Sequence, residues 1–264
     1  MAATLLGLPY DHHSSHLRGA AEAPPLIRAA LWSPASNPFS ETGVDVSSSD
    51  VMSDAGDLDA PEDAAHDAIE AAVTRILDAG SRPVCLGGDH AVTWPVLRAL
   101  GPRHEGLTIL HVDAHPDLYD ALDGDPLSHA TPFARIMEEK LATRLVQVGI
   151  RTLNPHQRDQ VTRFGVECIE MRDRSSMDAL VLDGPIYVSI DLDGLDPAHA
   201  PGVSHPEPGG LTTRDVIGLL HGITGEVVGA DVVEYNPRRD IHDLTAYVAA
   251  KLVKELVGVM ERSR

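Results

Sequence analysis

Apolar residues along this chain fall into two alternating patterns: short, mainly apolar runs, and longer stretches in which they recur every three or four positions. The runs read as strands. Residues 83–86, 107–112, 145–149, 186–190 and 227–233 are too short for buried helices, and their lack of polar alternation predicts strands covered on both faces. Between them lie helical stretches. In the first, over 61–78, Ala65, Ile69, Val73, Ile76 and Leu77 share one face, Asp59-Ala60-Pro61 marks a start and Gly80 a stop. Further helices are predicted over 94–100, 133–141, 155–164, 213–221 and 244–260. This alternation predicts an α/β fold, a single-domain three-layer α/β/α arrangement over residues 1–264 with a mainly parallel central sheet. The stretch 33–57, rich in Ser, Pro and Asp, reads as a long surface excursion.

Three of the strands end in groups with chemistry. The run through Ile109-Leu110-His111-Val112 leads into Asp113-Ala114-His115-Pro116-Asp117, and side chains at alternate positions of an extended segment point the same way. A lone aspartate after a strand more often caps a turn. Here Asp113, His115 and Asp117 are joined by Asp191 and Asp193 after the run 186–190, and by His90 in Gly87-Gly88-Asp89-His90 after 83–86. The two glycines permit close backbone approach or positive φ. In a parallel sheet the carboxyl ends of strands are where sites form. Four carboxylates so placed repel one another by about 4 kcal/mol per pair at 4 Å and an effective dielectric near 20. Two divalent cations cancel that charge, and oxygen with imidazole donors and no thiolate favours Mn²⁺.

Composition narrows the class. With 40 acidic against 21 basic residues the net charge is −19, which argues against nucleic acid or an anionic membrane as partner and suits a cationic substrate. No apolar stretch approaches a membrane span or a secretory leader, so a cytoplasmic protein is expected. Cys85 and Cys168 read as buried thiols rather than a disulfide framework. Dinucleotide, Walker, nucleophile-elbow and Cys-x-x-Cys motifs are absent.

The blocks Gly-Gly-Asp-His (87–90), Asp-Ala-His-x-Asp (113–117) and Asp-x-Asp (191–193), followed by Leu195-Asp196-Pro197 and the segment 200–211, resemble the ureohydrolases: arginases, agmatinases and related guanidino hydrolases. The likeness is strongest to plant-type arginases and runs collinearly over almost the whole chain. It implies the arginase/deacetylase-like fold and two Mn²⁺ per subunit, with His90 and Asp117 on one, His115 and Asp193 on the other, and Asp113 and Asp191 between them. It implies Asp89 as a residue orienting a ligand imidazole, His129 as the loop histidine that assists proton transfer, and Glu234 as the carboxylate pairing with a guanidinium. It also implies a homo-oligomer, a trimer or hexamer. The single-zinc deacetylases that share the fold are disfavoured by the complete set for two metals.

Hydrolysis of a guanidino compound to urea follows, with L-arginine placed ahead of agmatine and 4-guanidinobutyrate third. Animal-type arginases carry an asparagine two residues past the last ligand of the first aspartate block, where this chain has Tyr119. Tyr119, Arg18 and Arg151 are therefore the candidates for the far end of the substrate. The reading from another class is a catalytically silent metal-binding subunit; the full set of ligands, with His129 and Glu234, argues against it.

Overall fold

A computed structural model describes residues 2–262. Eight strands form one sheet: β1 (Ala3–Gly7), β2 (Met52–Asp57), β3 (Arg82–Leu86), β4 (Thr108–Val112), β5 (Arg144–Ile150), β6 (Glu167–Glu170), β7 (Pro185–Asp191) and β8 (Glu226–Val233). Their spatial order is β2-β1-β3-β8-β7-β4-β5-β6, and every neighbouring pair is parallel. The sheet expected to be mainly parallel is parallel throughout. Both β3 and β4 are buried at all five positions, which is why they appear as mainly apolar runs without polar alternation.

The helices are α1 (Ala23–Leu31), α2 (Ala65–Asp78), α3 (Thr93–Leu100), α4 (Pro132–Glu138), α5 (Pro155–Phe164), α6 (Thr213–His221) and α7 (Leu244–Arg262). One core cluster joins α1, α6 and α7 to one sheet face through residues such as Ile27, Val216, Leu252, Leu110 and Val188. The other joins α2, α3, α4 and α5 to the opposite face through Ile69, Leu97, Phe133, Ile109 and Tyr187, with Val161 and Phe164 of α5 at its margin. Adjacent Ile109 and Leu110 thus serve different layers, as alternation along a strand requires.

The sequence reading missed β1, β2, β6 and α1. The surface excursion expected over 33–57 closes with β2, an edge strand exposed at all but Met52 and bound on its outer side by Arg28, whose Nε lies 2.8 Å from Asp54 Oδ2. An edge strand needs no second apolar face, so its residues look like loop. The strand β6, Glu-Cys-Ile-Glu, sits at the other edge. Two prolines open the first turn of α1, where they cost no hydrogen bond but disguise the helix. The helix expected from residue 61 begins as a 3-10 turn, Glu62–Ala64, before α2. The helix expected to reach residue 141 stops at Glu138, just before Lys140 takes a positive φ of 56°.

Candidate metal centre

Four consecutive central strands, β3, β8, β7 and β4, end on the same edge of the sheet. His90 follows β3, Glu234 follows β8, Asp191 closes β7 with Asp193 two residues on, and Asp113, His115 and Asp117 follow β4. His90 Nδ1 lies 3.1 Å from Asp117 Oδ2, 3.2 Å from Asp191 Oδ2 and 3.3 Å from Asp113 Oδ2. His115 Nδ1 lies 3.2 Å from Asp193 Oδ2 and 3.4 Å from Asp113 Oδ1. Asp113 therefore offers one oxygen to each group. Asp191 stands with the first group, and its Oδ1 accepts from the Asp193 amide at 2.8 Å.

The donor set fits divalent cations. His90 Nδ1 is buried and faces three carboxylate oxygens, yet among the described residues it makes no hydrogen bond. Lone pairs that converge without bonding one another are the arrangement ligands adopt around an ion. Within each of the two groups the ligand atoms lie within 4.8 Å of one another. Burial pushes the Asp191 carboxyl well above the usual carboxylate range, and Asp193 and Asp113 add to that. Burial opposes protonation of His90, but Asp113, Asp117 and Asp191 outweigh it and hold the imidazole well above its ordinary value.

Beneath the ligands runs a row of polar side chains that the sequence reading overlooked. In the sheet register Asp231, Ser189, His111 and Gln147 stand side by side on β8, β7, β4 and β5. Ser189 Oγ donates to Asp231 Oδ1 at 2.6 Å and lies 2.9 Å from His90 Nε2, fixing that ring from behind. Asp231 also accepts from Tyr187 and Thr93. His111 Nε2 lies 2.8 Å from Asp113 Oδ2, its Nδ1 3.0 Å from Gln147 Nε2, and its ring stacks on Phe133. Partners of this kind fix which ring nitrogen is free for a metal. The signal was available: Ser189 and His111 lie two residues before Asp191 and Asp113, on the same strand face.

Gly87 and Gly88 serve close approach and not positive φ, since neither is among the positive-φ glycines. A Cβ on Gly88 would lie 1.7 Å from the Tyr10 carbonyl oxygen, and the Gly88 carbonyl accepts from the Glu234 amide at 2.8 Å. Asp117 and Glu234 themselves take left-handed backbone conformations, φ 48° and 64°. Such strain in non-glycine residues costs on the order of 1–3 kcal/mol and gathers at functional sites.

His129 and Glu234, read as separate actors, are joined. His129 Nδ1 lies 2.9 Å from Glu234 Oε1, which also accepts from the His90 amide at 3.0 Å; His129 Nε2 lies 2.8 Å from Ser15 Oγ. Burial works against a charged imidazole here, but Glu234 prevails and raises His129 to about 9. Glu234 moves the opposite way: burial opposes its charge, and His129 pulls its carboxyl below the ordinary value. His129 stands on the wall of a cleft of about 230 Å³ whose floor includes Asp117, Asp191 and Asp193, and Glu234 is bonded to that histidine from behind.

The sequence model of the Arginase family matches residues 1–258. The chain belongs to the arginase family. It is 47% identical to Arginase 1, mitochondrial, of Arabidopsis thaliana over 98% of this chain and 81% of that protein. It is 36% identical to the human guanidino acid hydrolase, mitochondrial, over 98% of this chain and 78% of that one. Its fold superposes on the solved arginase of Medicago truncatula with a TM-score of 0.94 at 46% identity, covering 98% of this chain and 87% of the other.

Three expectations for this arginase-family chain need correction. Arg151 is no free partner for a substrate carboxylate: its guanidinium donates to the carbonyls of Gly149, Asp193, Gly194, Leu195 and Glu207, bracing the Asp193 turn. Asp89 orients no ligand imidazole. Its Oδ2 accepts from the His13 amide and the Ser14 hydroxyl and its Oδ1 from the Ala91 amide, so it anchors the loop after β1. Arg18 is exposed and bonded to His12, with Glu62 at 3.6 Å, and is not among the residues lining the cleft; Tyr119 does line it.

The expected cytoplasmic location is also overturned. Plant relatives are named mitochondrial, or chloroplastic and mitochondrial, which points away from it. The expectation rested on the lack of an apolar leader or span, which does not separate the cytosol from the aqueous interior of an organelle. Among the described residues no helix is long and apolar enough to cross a membrane.

Proposed function

We propose that the chain hydrolyses L-arginine to urea and ornithine, with His90, Asp113, Asp117 and Asp191 holding one Mn²⁺ and Asp113, Asp191, His115 and Asp193 a second. The observation that carries this is Asp113, whose two oxygens address two separate ligand groups beside the paired Glu234 carboxylate and His129 imidazole. Divalent cations held there would supply a nucleophile by lowering the pKa of a water. Mn²⁺ suits a set of carboxylate oxygens and imidazoles without thiolate.

The chain's own residues then have distinct tasks. A carboxylate accepts about four hydrogen bonds, so the two at Glu234 Oε1 leave capacity to pair with a guanidinium and hold its carbon over the floor. Water adds to that carbon, and the bond from it to the nitrogen of the alkyl chain breaks. The departing amine needs a proton. His129, raised to about 9, carries one at neutral pH and stands on the cleft wall to give it. Arginine is favoured by the likeness to plant proteins named arginases, and agmatine is the second reading, since a protein named agmatinase, from Bacillus anthracis, is 37% identical over 77% of the chain. A homo-oligomer, trimer or hexamer, completes the proposal and is read by light scattering.

The test is urea release after Mn²⁺ loading with arginine, agmatine, 4-guanidinobutyrate and 3-guanidinopropionate in parallel. Arginine should give the highest kcat/KM. No urea from any of them, with two ions bound, overturns the proposal.

A further inference from the structure

Away from the metal cleft, α1 and α7 leave an apolar strip uncovered. The outward side of α1 is Pro25, Leu26, Ala29 and Trp32, all exposed and none charged. Arg28, the one charged residue of that helix, is turned to Asp54 and Asp57 on β2. Two contacts lay α1 beside the start of α7. Arg238 Nε lies 3.0 Å from Glu22 Oε1 just before the helix, and the Tyr247 hydroxyl lies 3.0 Å from Ser33 Oγ just after it. Ile241, Leu244 and Tyr247 therefore continue the strip, which follows the nine residues of α1 for about 14 Å. Single exposed apolar side chains are ordinary, but a contiguous row that includes a tryptophan and a tyrosine marks a surface made to be covered. The turn before α7 is committed to this display. His242 and Asp243 take consecutive left-handed conformations, φ 52° and 58°, and Asp240 accepts from the Thr245 and Ala246 amides, which leaves Ile241 58% exposed.

Charge indicates what covers the strip. Copies of a chain with net charge −19 repel one another, so they can meet only where acidic groups are few or answered. Here Glu22 is answered by Arg238, and Asp240 is spent on the start of α7. Arg239 and Asp243 remain, one of each sign, exposed on either side of Ile241 and without an ion-pair partner among the described residues. A two-fold contact sets residue i against j and j against i, so Arg239 of each copy can answer Asp243 of the other. Nucleic acid or an anionic membrane meets the full negative charge and gains no such match.

We propose that the strip formed by α1 and the start of α7 is a two-fold interface with a second copy of this chain, with Trp32 buried in it and Arg239 paired to Asp243 of the other copy at its rim. The proposal rests on the homo-oligomer reading and deepens it, because a two-fold contact requires an even number of subunits and so selects the hexamer over the trimer. Light scattering of the Mn²⁺-loaded wild type should give an even multiple of 28.2 kDa. Trp32→Glu should raise the dissociation constant of the pairing by about 30-fold or more, the scale of a central interface residue, and so halve the mass at concentrations where the wild type is intact. Trp32 is 45% exposed in the single chain, and an unchanged circular dichroism melt in dilute solution shows that the variant folds. If it does not fold, Leu26→Glu takes its place. Arg239→Asp sets like charges together twice across the axis and should weaken the pairing by about tenfold or more, and adding Asp243→Arg should restore it. A wild type of one or three subunits overturns the proposal. So does a mass that Trp32→Glu leaves whole, or a defect in Arg239→Asp that Asp243→Arg does not repair. One subunit sinks the oligomer reading as well, whereas three sink this inference alone; the urea test stands apart from both.

Discussion

His129 donates to Glu234 through one bond, but the two side chains meet different demands, and substitution should separate them. His129→Ala should bind both ions and substrate and lower kcat by about 10²-fold to 10⁴-fold, the usual share of general acid–base help. Glu234→Gln should instead raise KM as well as lower kcat, because it removes the charge that pairs with a guanidinium. Steady-state kinetics at verified metal occupancy distinguish these outcomes, and wild-type turnover by His129→Ala would remove the histidine from the mechanism. The pair also ties stability to pH. His129 is raised from 6.5 to about 9, so its contribution is complete below about pH 6.5 and is lost as pH climbs through about 9. Glu234, shifted down, contributes above its ordinary value and loses its share as pH falls through its folded value. In metal-free protein the stability gap between wild type and His129→Gln, measured by urea unfolding, should shrink by up to about 3 kcal/mol between pH 6.5 and 10. A gap unchanged over that range would contradict the assigned coupling.

At the scale of elements, the ligands stand on a second row of side chains. Asp231 reaches His90 only through Ser189, so Asp231→Asn should leave every ligand in place but weaken Mn²⁺ binding by about 10-fold to 100-fold, as read by calorimetry. Unchanged affinity would make the row a matter of packing alone. A methyl group on Gly88 meets the Tyr10 carbonyl and forces the end of β3 and the loop after β1 apart, so Gly88→Ala should cost metal affinity and thermal stability together. The sequence made the ligand residues legible because they fall at alternate positions after mainly apolar runs, and that same pattern placed the central strands. Edge strands were invisible in it: β2 has one buried residue and β6 none fully buried. Asp231 was missed for a different reason. It lies inside the run 227–233 that reads as a strand, and only the fold shows that it supports His90 through Ser189. Arg151 failed in the reverse sense, because only the fold reveals the carbonyls that occupy it.

For the molecule as a whole, the cluster concentrates four carboxylates of a chain whose net charge is already −19. Cations that bind only the folded state raise its stability by about 4 kcal/mol at 1,000 times their dissociation constant, or roughly 10 °C for a chain of this size. Thermal melts with and without Mn²⁺ should show that rise, reversed by chelator, and coincident melts would argue against a tightly held pair. The order of strands carries one more consequence. The strands that bear the site, β3, β8, β7 and β4, are neighbours in space but are made far apart in time. While the chain leaves the ribosome, His90 and the Asp113 block emerge first and wait for β7 and then β8, which are inserted between β3 and β4. Until β7 and β8 have been made those early ligands have no finished seat, so the growing chain completes the cluster only after the strands that part its first two ligand blocks have emerged.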